Sequence, residues 1–142
     1  MSLDIHGRWE LVSWTATLPD GTEVHPFGEG GGGSLVYTPG GFMTGQLWAA
    51  ERPPVSGDNP LGGTEAERAA AYSTFVSYSG GFEVRGDHIA HKVTASLFPN
   101  WVGEEQIRFH ELDGDRLVLR TPPVDLGQQV GNTLSWVRVE RW

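Results

Sequence analysis

SLVYTPGGFMTGQLW, Ser34 to Trp48, reads as two short strands folded about a tight turn. Pro39-Gly40-Gly41 supplies the turn, because proline presets one backbone angle and glycine accepts the others. Ser34–Thr38 and Phe42–Trp48 on either side are rich in β-branched and aromatic residues, which suit a pleated surface. The same punctuation repeats outward. Arg8–Thr17 ends at Pro19-Asp20-Gly21, Thr22–His25 is a short second strand, and Pro26–Gly33 is a glycine-rich loop. Downstream, strands are expected at Gly81–Arg85, His88–Leu97, Glu105–Leu112, Arg116–Thr121 and Gly131–Trp142. Gly86-Asp87, Pro99–Gly103, Asp113-Gly114-Asp115 and Pro122–Val130 separate them as turns and loops.

One segment breaks the pattern. Ala49–Gly63 is rich in Pro and Gly and reads as loop. Thr64-Glu65-Ala66-Glu67 is a capping box, in which Thr64 caps the helix and Glu67 reaches back to the Thr64 amide. The Ala-rich stretch from Glu65 to Val76 is therefore predicted helical, with Tyr72, Phe75 and Val76 facing the core. Many short strands joined by tight turns imply a sandwich or a barrel. The short connections favour an up-and-down meander. The expected fold is all-β, a closed antiparallel barrel of about 8–10 strands with one helix inserted around residues 65–77, and residues 1–142 forming a single domain.

Composition narrows the partners. The chain has 142 residues and a net charge of −8, and its ten basic residues are scattered. A nucleic-acid surface needs clustered Lys and Arg, so nucleic acid is not expected, nor is an anionic membrane surface. Cysteine is absent, which excludes disulfides and Cys-based zinc sites. Met1 to Trp9 has neither a basic nor an apolar signal-peptide region, and no apolar run reaches membrane-spanning length. The expected location is the cytoplasm.

Gly7-Arg8-Trp9 resembles the Gly-x-Trp opening of lipocalins. That resemblance implies that Trp9 closes the bottom of the barrel, covered by a basic residue near the end of the last strand, Arg138 or Arg141. A longer pattern is similar to the bacterial and fungal lipocalin-like domain family. It runs through Gly7-x-Trp9-x-Leu11-Val12-Ser13, then Gly33-x-Leu35-x-Tyr37-x-x-x-Gly41, then Tyr78-Ser79-Gly80-x-Phe82. It continues with His91-x-Val93-x-x-Ser96, Pro99-Asn100-Trp101-x-Gly103-x-x-x-x-Arg108 and Gly114-Asp115-x-Leu117-x-Leu119. The run Gly30–Gly33 is longer than the turn usual in that family. The resemblance implies a barrel that holds a small apolar molecule, and similar barrels include cyclases and isomerases of natural-product pathways.

Alternation along barrel strands selects the candidate site residues. Ile89, His91, Val93 and Ala95 share one face, and His88 and Lys92 on the other face suit solvent, so His91 points inward. It is either a buried histidine satisfied by hydrogen bonds or a ligand contact and general acid/base. If Gln106, Arg108 and His110 face inward, Arg108 needs a carboxylate partner, because an unpaired buried charge is costly. Glu83 and Glu10 are the candidate partners. Arg108 is thus a member of a structural ion pair, a solvent-facing arginine, or an anchor for a ligand carboxylate or enolate oxygen. Tyr37 and Tyr78 are core residues or phenol donors to a ligand. Asn100 and Trp101 offer turn chemistry and lid packing, or binding from a loop. Trp9, Trp14, Phe42, Met43, Trp48, Phe82 and Trp136 either line a ligand pocket or fill it, and Val93 belongs with the lining.

The five histidines are dispersed, and His88 and His91 lie on opposite strand faces, so no metal site is expected. No cofactor motif occurs: Gly28–Gly33 lacks the lysine and the following helix of a phosphate-binding loop, and no Gly-x-Ser-x-Gly elbow is present. Three functions remain. The first is binding of a small hydrophobic or amphipathic molecule within the barrel. The second is a cyclase or isomerase of secondary metabolism in which His91, Tyr78 and Arg108 polarise or protonate the substrate. The third is a filled barrel that acts through its surface, as a homodimer.

Overall fold

The structure, a computed structural model, describes residues 3–122, 124–125 and 129–142. Its strands are β1 Gly7–Thr17, β2 Glu23–Val24, β3 Gly32–Tyr37, β4 Phe42–Trp48, β5 Phe75–Arg85, β6 His88–Ser96, β7 Glu105–Asp113, β8 Arg116–Arg120, β9 Val124–Asp125 and β10 Gln129–Arg141. Helix α1, Glu65–Ser73, lies between β4 and β5. Strand order in space is β2-β1-β3-β4-β5-β6-β7-β8-β10-β9, and β1 also pairs with β10. That last pairing, from Gly7 opposite Arg141 to Thr17 opposite Gly131, closes the sheet into an up-and-down antiparallel barrel. The loop predicted over Pro122–Val130 falls partly on Pro123 and residues 126–128, outside the described residues; within the remainder lies β9.

The turn at residues 39–41 forms as its sequence dictates. Thr38 and Phe42 are joined by a backbone hydrogen bond of 2.8 Å, and the Thr38 hydroxyl accepts the Phe42 amide at 3.0 Å. Gly41 adopts a φ of 91°, which only glycine takes readily. Tyr37 then sits opposite Met43, and Trp9 opposite Leu35. Cross-strand partners share a face, so the inward rows are set by register. They converge on a core of Ile5, Trp9, Leu35, Tyr37, Met43, Ile89, Leu117, Leu119, Leu134 and Trp136.

One end of the barrel is packed solid. The Trp9 indole donates to the Ile5 carbonyl at 2.9 Å, and the Arg138 guanidinium lies 4.5 Å above the Trp9 ring. Arg138 donates to the Asp115 and Asp4 carboxylates and to the carbonyls of Asp4, His6 and Gly114. Of the two candidates for the basic cover, Arg138 takes the position over the ring, while Arg141 lies outside it, paired with Asp4 and Asp115.

The helix differs from the sequence expectation. Its capping box is present, with Thr64 and Glu67 bonded reciprocally at 2.9 and 3.1 Å. It ends at Ser73, however, and not near Val76. Phe75 and Val76 pair with Trp48 and Leu47 as the first residues of β5, so the strand expected from Gly81 begins six positions earlier. A β-branched and an aromatic residue gain more from a sheet edge than from a last helical turn. No residue of α1 is buried, and Tyr72, expected in the core, is 48% exposed. Ala95, expected inward, is exposed, because a bulge between Ser79 and Gly80 shifts the β5–β6 register.

Replacing Arg138 with Met keeps the apolar stem but leaves three carbonyls without this donor and two carboxylates with Arg141 alone. The variant is expected to lose about 2–4 kcal/mol of stability, read as a lower urea midpoint at unchanged slope. An unchanged midpoint would show that the cover is dispensable.

Candidate functional site

Above the packed floor the barrel opens into a cavity of about 360 Å³. Its position follows from strand direction. Trp9 and Leu117 stand at the closed end, whereas Trp14, Thr121 and Asn132, further towards the other rim, line the cavity. Leu35, Leu47, Val76, Leu119, Leu134 and Trp136 form apolar walls. The rim continues into a shallow apolar hollow, where Trp14, Val76 and Trp101 meet Tyr72, Leu97 and Phe98. This hollow forms the mouth. The short 3-10 turn Pro99–Trp101 sets Trp101 edge-on to Tyr78, with ring centres 5.5 Å apart.

Tyr78, His91, Gln106 and Arg108 share one wall, while Gln46, Thr121 and Asn132 also border the cavity. His91 on β6 is buried, and both ring nitrogens are engaged. The Tyr37 hydroxyl lies 2.6 Å from Nε2 and the Tyr78 hydroxyl 2.6 Å from Nδ1. Three strands, β3, β5 and β6, thus contribute one phenol–imidazole–phenol chain. Burial, and secondarily the Arg108 charge, push the His91 pKa down to about 3, so the ring is neutral at physiological pH. Burial also raises both tyrosines; for Tyr78 the neighbouring Arg108 acts in the opposite direction.

Gln106 and Arg108 on β7 face inward, opposite His91 and Ile89. The carboxylate partners expected for Arg108 are elsewhere. Glu83 binds Arg85 and Lys92, and Glu10 binds Arg8, all on the outer wall. The Arg108 guanidinium instead donates to the Ile107 carbonyl of its own strand at 2.8 Å. Nearer the mouth, the Trp14 indole donates to Asn132 at 2.9 Å, and the Asn132 amide lies 3.4 Å from the Thr121 hydroxyl. The Trp136 indole N–H is a buried donor with no partner among the described residues.

The sequence matches a known family. A model of the lipocalin-like domain matches residues 6–139. The chain belongs to the lipocalin-like domain family. Among relatives of this lipocalin-like chain is the 4'-hydroxy-3'-methoxypropiophenone carrier protein ppsC of Aspergillus oryzae, 32% identical over 109 residues, 70% of this chain and 98% of that protein. Crystal structures of two mutants of the fluorescent protein UnaG are similar with TM-scores of 0.41, at 13% and 15% identity, over 95% of this chain and 96% of each of those chains.

Of the candidate residues, Tyr78, His91, Arg108, Trp101 and Trp136 line the lipocalin-like cavity, as does Trp14. Trp9, Tyr37 and Met43 are fully buried below it, Tyr37 reaching it only through His91. Phe82 packs edge-on against Tyr37 at 4.8 Å, and Val93 is buried in the wall. Trp48 lies outside the barrel against Gly32, where a Cβ would come within 2.4 Å of its indole nitrogen. Asn100 is exposed and does not border the cavity. Sequence reasoning overlooked Asn132 and Thr121, whose meeting depends on register between distant strands, and the unpaired Trp136 donor. Among the described residues no group of three potential metal ligands assembles, and no helix is long and apolar enough to cross a membrane.

The depressed His91 pKa has a consequence for stability. Unfolded, the ring titrates near 6.5; folded, near 3. The folded state resists protonation, so the contribution of His91 is complete above pH 6.5 and is lost as pH falls towards 3. Stability is expected to fall by about 1.4 kcal/mol per pH unit near pH 5 on this account. His91→Gln, which keeps hydrogen-bonding capacity without titrating, should flatten that slope in urea melts between pH 4.5 and 6.5; an unaltered slope would assign the acid sensitivity to other groups. Trp136→Phe removes an unpaired buried donor and should leave the ligand-free protein equally stable or about 1 kcal/mol more stable. A clear loss of stability would mean that the indole N–H has a partner.

Proposed function

We propose that this chain binds, and carries, a small amphipathic aromatic molecule in the barrel cavity. The observation that carries the reading is a largely apolar lining in which Tyr78, His91, Gln106 and Arg108 stand together on one side, with Gln46, Thr121 and Asn132 as the further polar side chains that are uncharged. Small-molecule sites have this composition: apolar surface supplies affinity and a few fixed polar groups supply orientation. The volume suits one compact ligand, at the lower end of the usual range for such sites. The relative from Aspergillus oryzae carries a phenolic aryl ketone by name, which makes that compound the natural first probe.

The cyclase or isomerase reading has one observation in its favour, a neutral imidazole within the chain of groups at the cavity wall. Both His91 nitrogens are already bonded to tyrosines. A catalytic proton would therefore have to pass through Tyr78, and a carrier needs no such step.

Trp14, Trp101 and Trp136 report occupancy directly through their fluorescence. Titration with 4'-hydroxy-3'-methoxypropiophenone is expected to quench them saturably with one site per chain. Val76→Trp, placed at the mouth, should weaken binding on the order of tenfold by filling the entrance. Mass spectrometry of the recovered ligand should show it unchanged. A new product would establish the enzymatic reading, and absence of saturable quenching by this ketone and by a panel of apolar acids, polyketides and terpenoids would refute binding altogether.

A further inference from the structure

Arg108 stands out by its company. Every other charged contact at this wall is outside the barrel, where Glu83, Arg85, Lys92 and Glu105 pair among themselves. Inside, Arg108 faces Ile89 and His91 from β6, Tyr78 from β5 and, through His91, Tyr37 from β3. On its own strand the inward neighbours are Gln106 and His110, and His110 is bonded to the Gly86 carbonyl. From β8 and β10 come Leu119, Leu134, Asn132 and Trp136. No carboxylate among the described residues pairs with Arg108 from any of these elements. Glu105 also borders the cavity, but its carboxylate is bonded to Arg85. Among the described residues the cavity therefore holds one positive charge that no carboxylate pairs.

The hydrogen-bond chain adds direction. A neutral imidazole donates from one nitrogen and accepts at the other. Tyr37 is fully buried, and among the described residues its hydroxyl has no partner except His91. If Tyr37 accepted from Nε2–H, its own proton would be buried without an acceptor, which is costly. The arrangement that strands no proton has Tyr37 donating to Nε2 and Nδ1–H donating to Tyr78. The Tyr78 oxygen is then already an acceptor, and its O–H is left to donate into the cavity beside Arg108. Arg108 lies within hydrogen-bond reach of the Tyr78 oxygen, and a guanidinium and a hydroxyl side by side can together hold an oxyanion.

We propose that the ligand is held as an aromatic oxyanion, a phenolate, enolate or carboxylate, with its charged oxygen between Arg108 and Tyr78. This rests on the binding reading above and specifies the chemical class of the ligand. A neutral carbonyl would accept the same hydrogen bonds but leave the Arg108 charge uncompensated in an apolar setting. When the ligand is a phenol, its proton passes to solvent on binding and no bond other than O–H breaks. A second acceptor on the ligand would satisfy the unpaired Trp136 donor on the cavity wall. The overall charge of −8 repels anions, so a preference for them has to arise locally.

Three probes of similar shape test this. They are 4'-hydroxy-3'-methoxypropiophenone, its 4'-methyl ether, which cannot ionise, and 3,4-dimethoxybenzoate. At a pH about two units below the pKa of the free phenol, the bound phenol should show the red-shifted phenolate absorbance, and at least one of the two acids should bind about tenfold or more tighter than the ether. The phenolate band identifies a phenol as the preferred source, and stronger binding of the benzoate identifies a carboxylate. Arg108→Gln should abolish the band and bring the acids down to the ether. Tyr78→Phe, which retains the ring and is the safer variant for folding, should shift the bound phenol's apparent pKa upward. If the ether binds as well as both acids and no phenolate appears, the cavity is a binding site but the oxyanion assignment is wrong. If none of the three binds, the binding reading fails for this ligand class and the assignment fails with it.

Discussion

A single guanidinium closes this barrel. Arg138 covers the Trp9 indole and ties together three pieces of chain remote in sequence: the segment before β1, the β7–β8 turn and β10 itself. Such a buried cation is tolerable only because carboxylates and carbonyls surround it. Gly7 makes the closure possible. Its φ is 140°, and a Cβ there would sit 2.0 Å from the Glu140 carbonyl oxygen, so β1 and β10 could not approach so closely with any other residue. With the floor sealed, the volume that inward side chains fail to fill collects at the opposite end. The cavity is thus a consequence of where the barrel is tight.

The two inward arginines show how context sets the role of a side chain. Arg138 is enclosed by partners and serves the fold. Arg108, on the same interior but higher, has a carbonyl of its own strand and otherwise apolar or neutral surroundings. Guanidinium groups keep their charge under all ordinary conditions. The fold therefore leaves a demand for negative charge in the cavity that Glu83 and Glu105, paired with other cations at this wall, do not meet.

Much of this was legible in the sequence. Period-two alternation was enough to turn His91 inward, though it left the facing of Arg108 open, and the resemblance of the Gly-x-Trp opening placed Trp9 at the floor. Limits appeared where register or competition between elements mattered. The capping box marked the start of α1, but nothing local marked its end, because Phe75 and Val76 were drawn into β5 by partners on β4. Trp48 looked like pocket lining, yet parity on β4 sends it outward onto Gly32. The convergence of Tyr37, His91 and Tyr78 depends on three strands and on a bulge at Ser79–Gly80, none visible in the local pattern. Glu83 and Glu10 were reasonable partners for Arg108 by charge alone, and only the positions of the strands assign them to other cations.

The phenol–imidazole–phenol chain is better suited to orienting a ligand than to driving a reaction. A general base works best with a pKa near the working pH and a free lone pair facing the substrate. His91 has a strongly depressed pKa, and both nitrogens are committed. What such a chain does well is fix the hydroxyl rotor of Tyr78. A hydroxyl anchored as an acceptor on one side has its proton directed to the other, which lowers the entropy lost when a ligand accepts it. The buried tyrosine at the far end sets the tautomer without touching the ligand. On the binding reading, Tyr37 and His91 are positioning residues, and only Tyr78 and Arg108 meet the ligand's polar end. Fixed donors at one wall and loose apolar contacts at the others permit variation in a ligand's hydrocarbon frame while constraining where its oxygen lies.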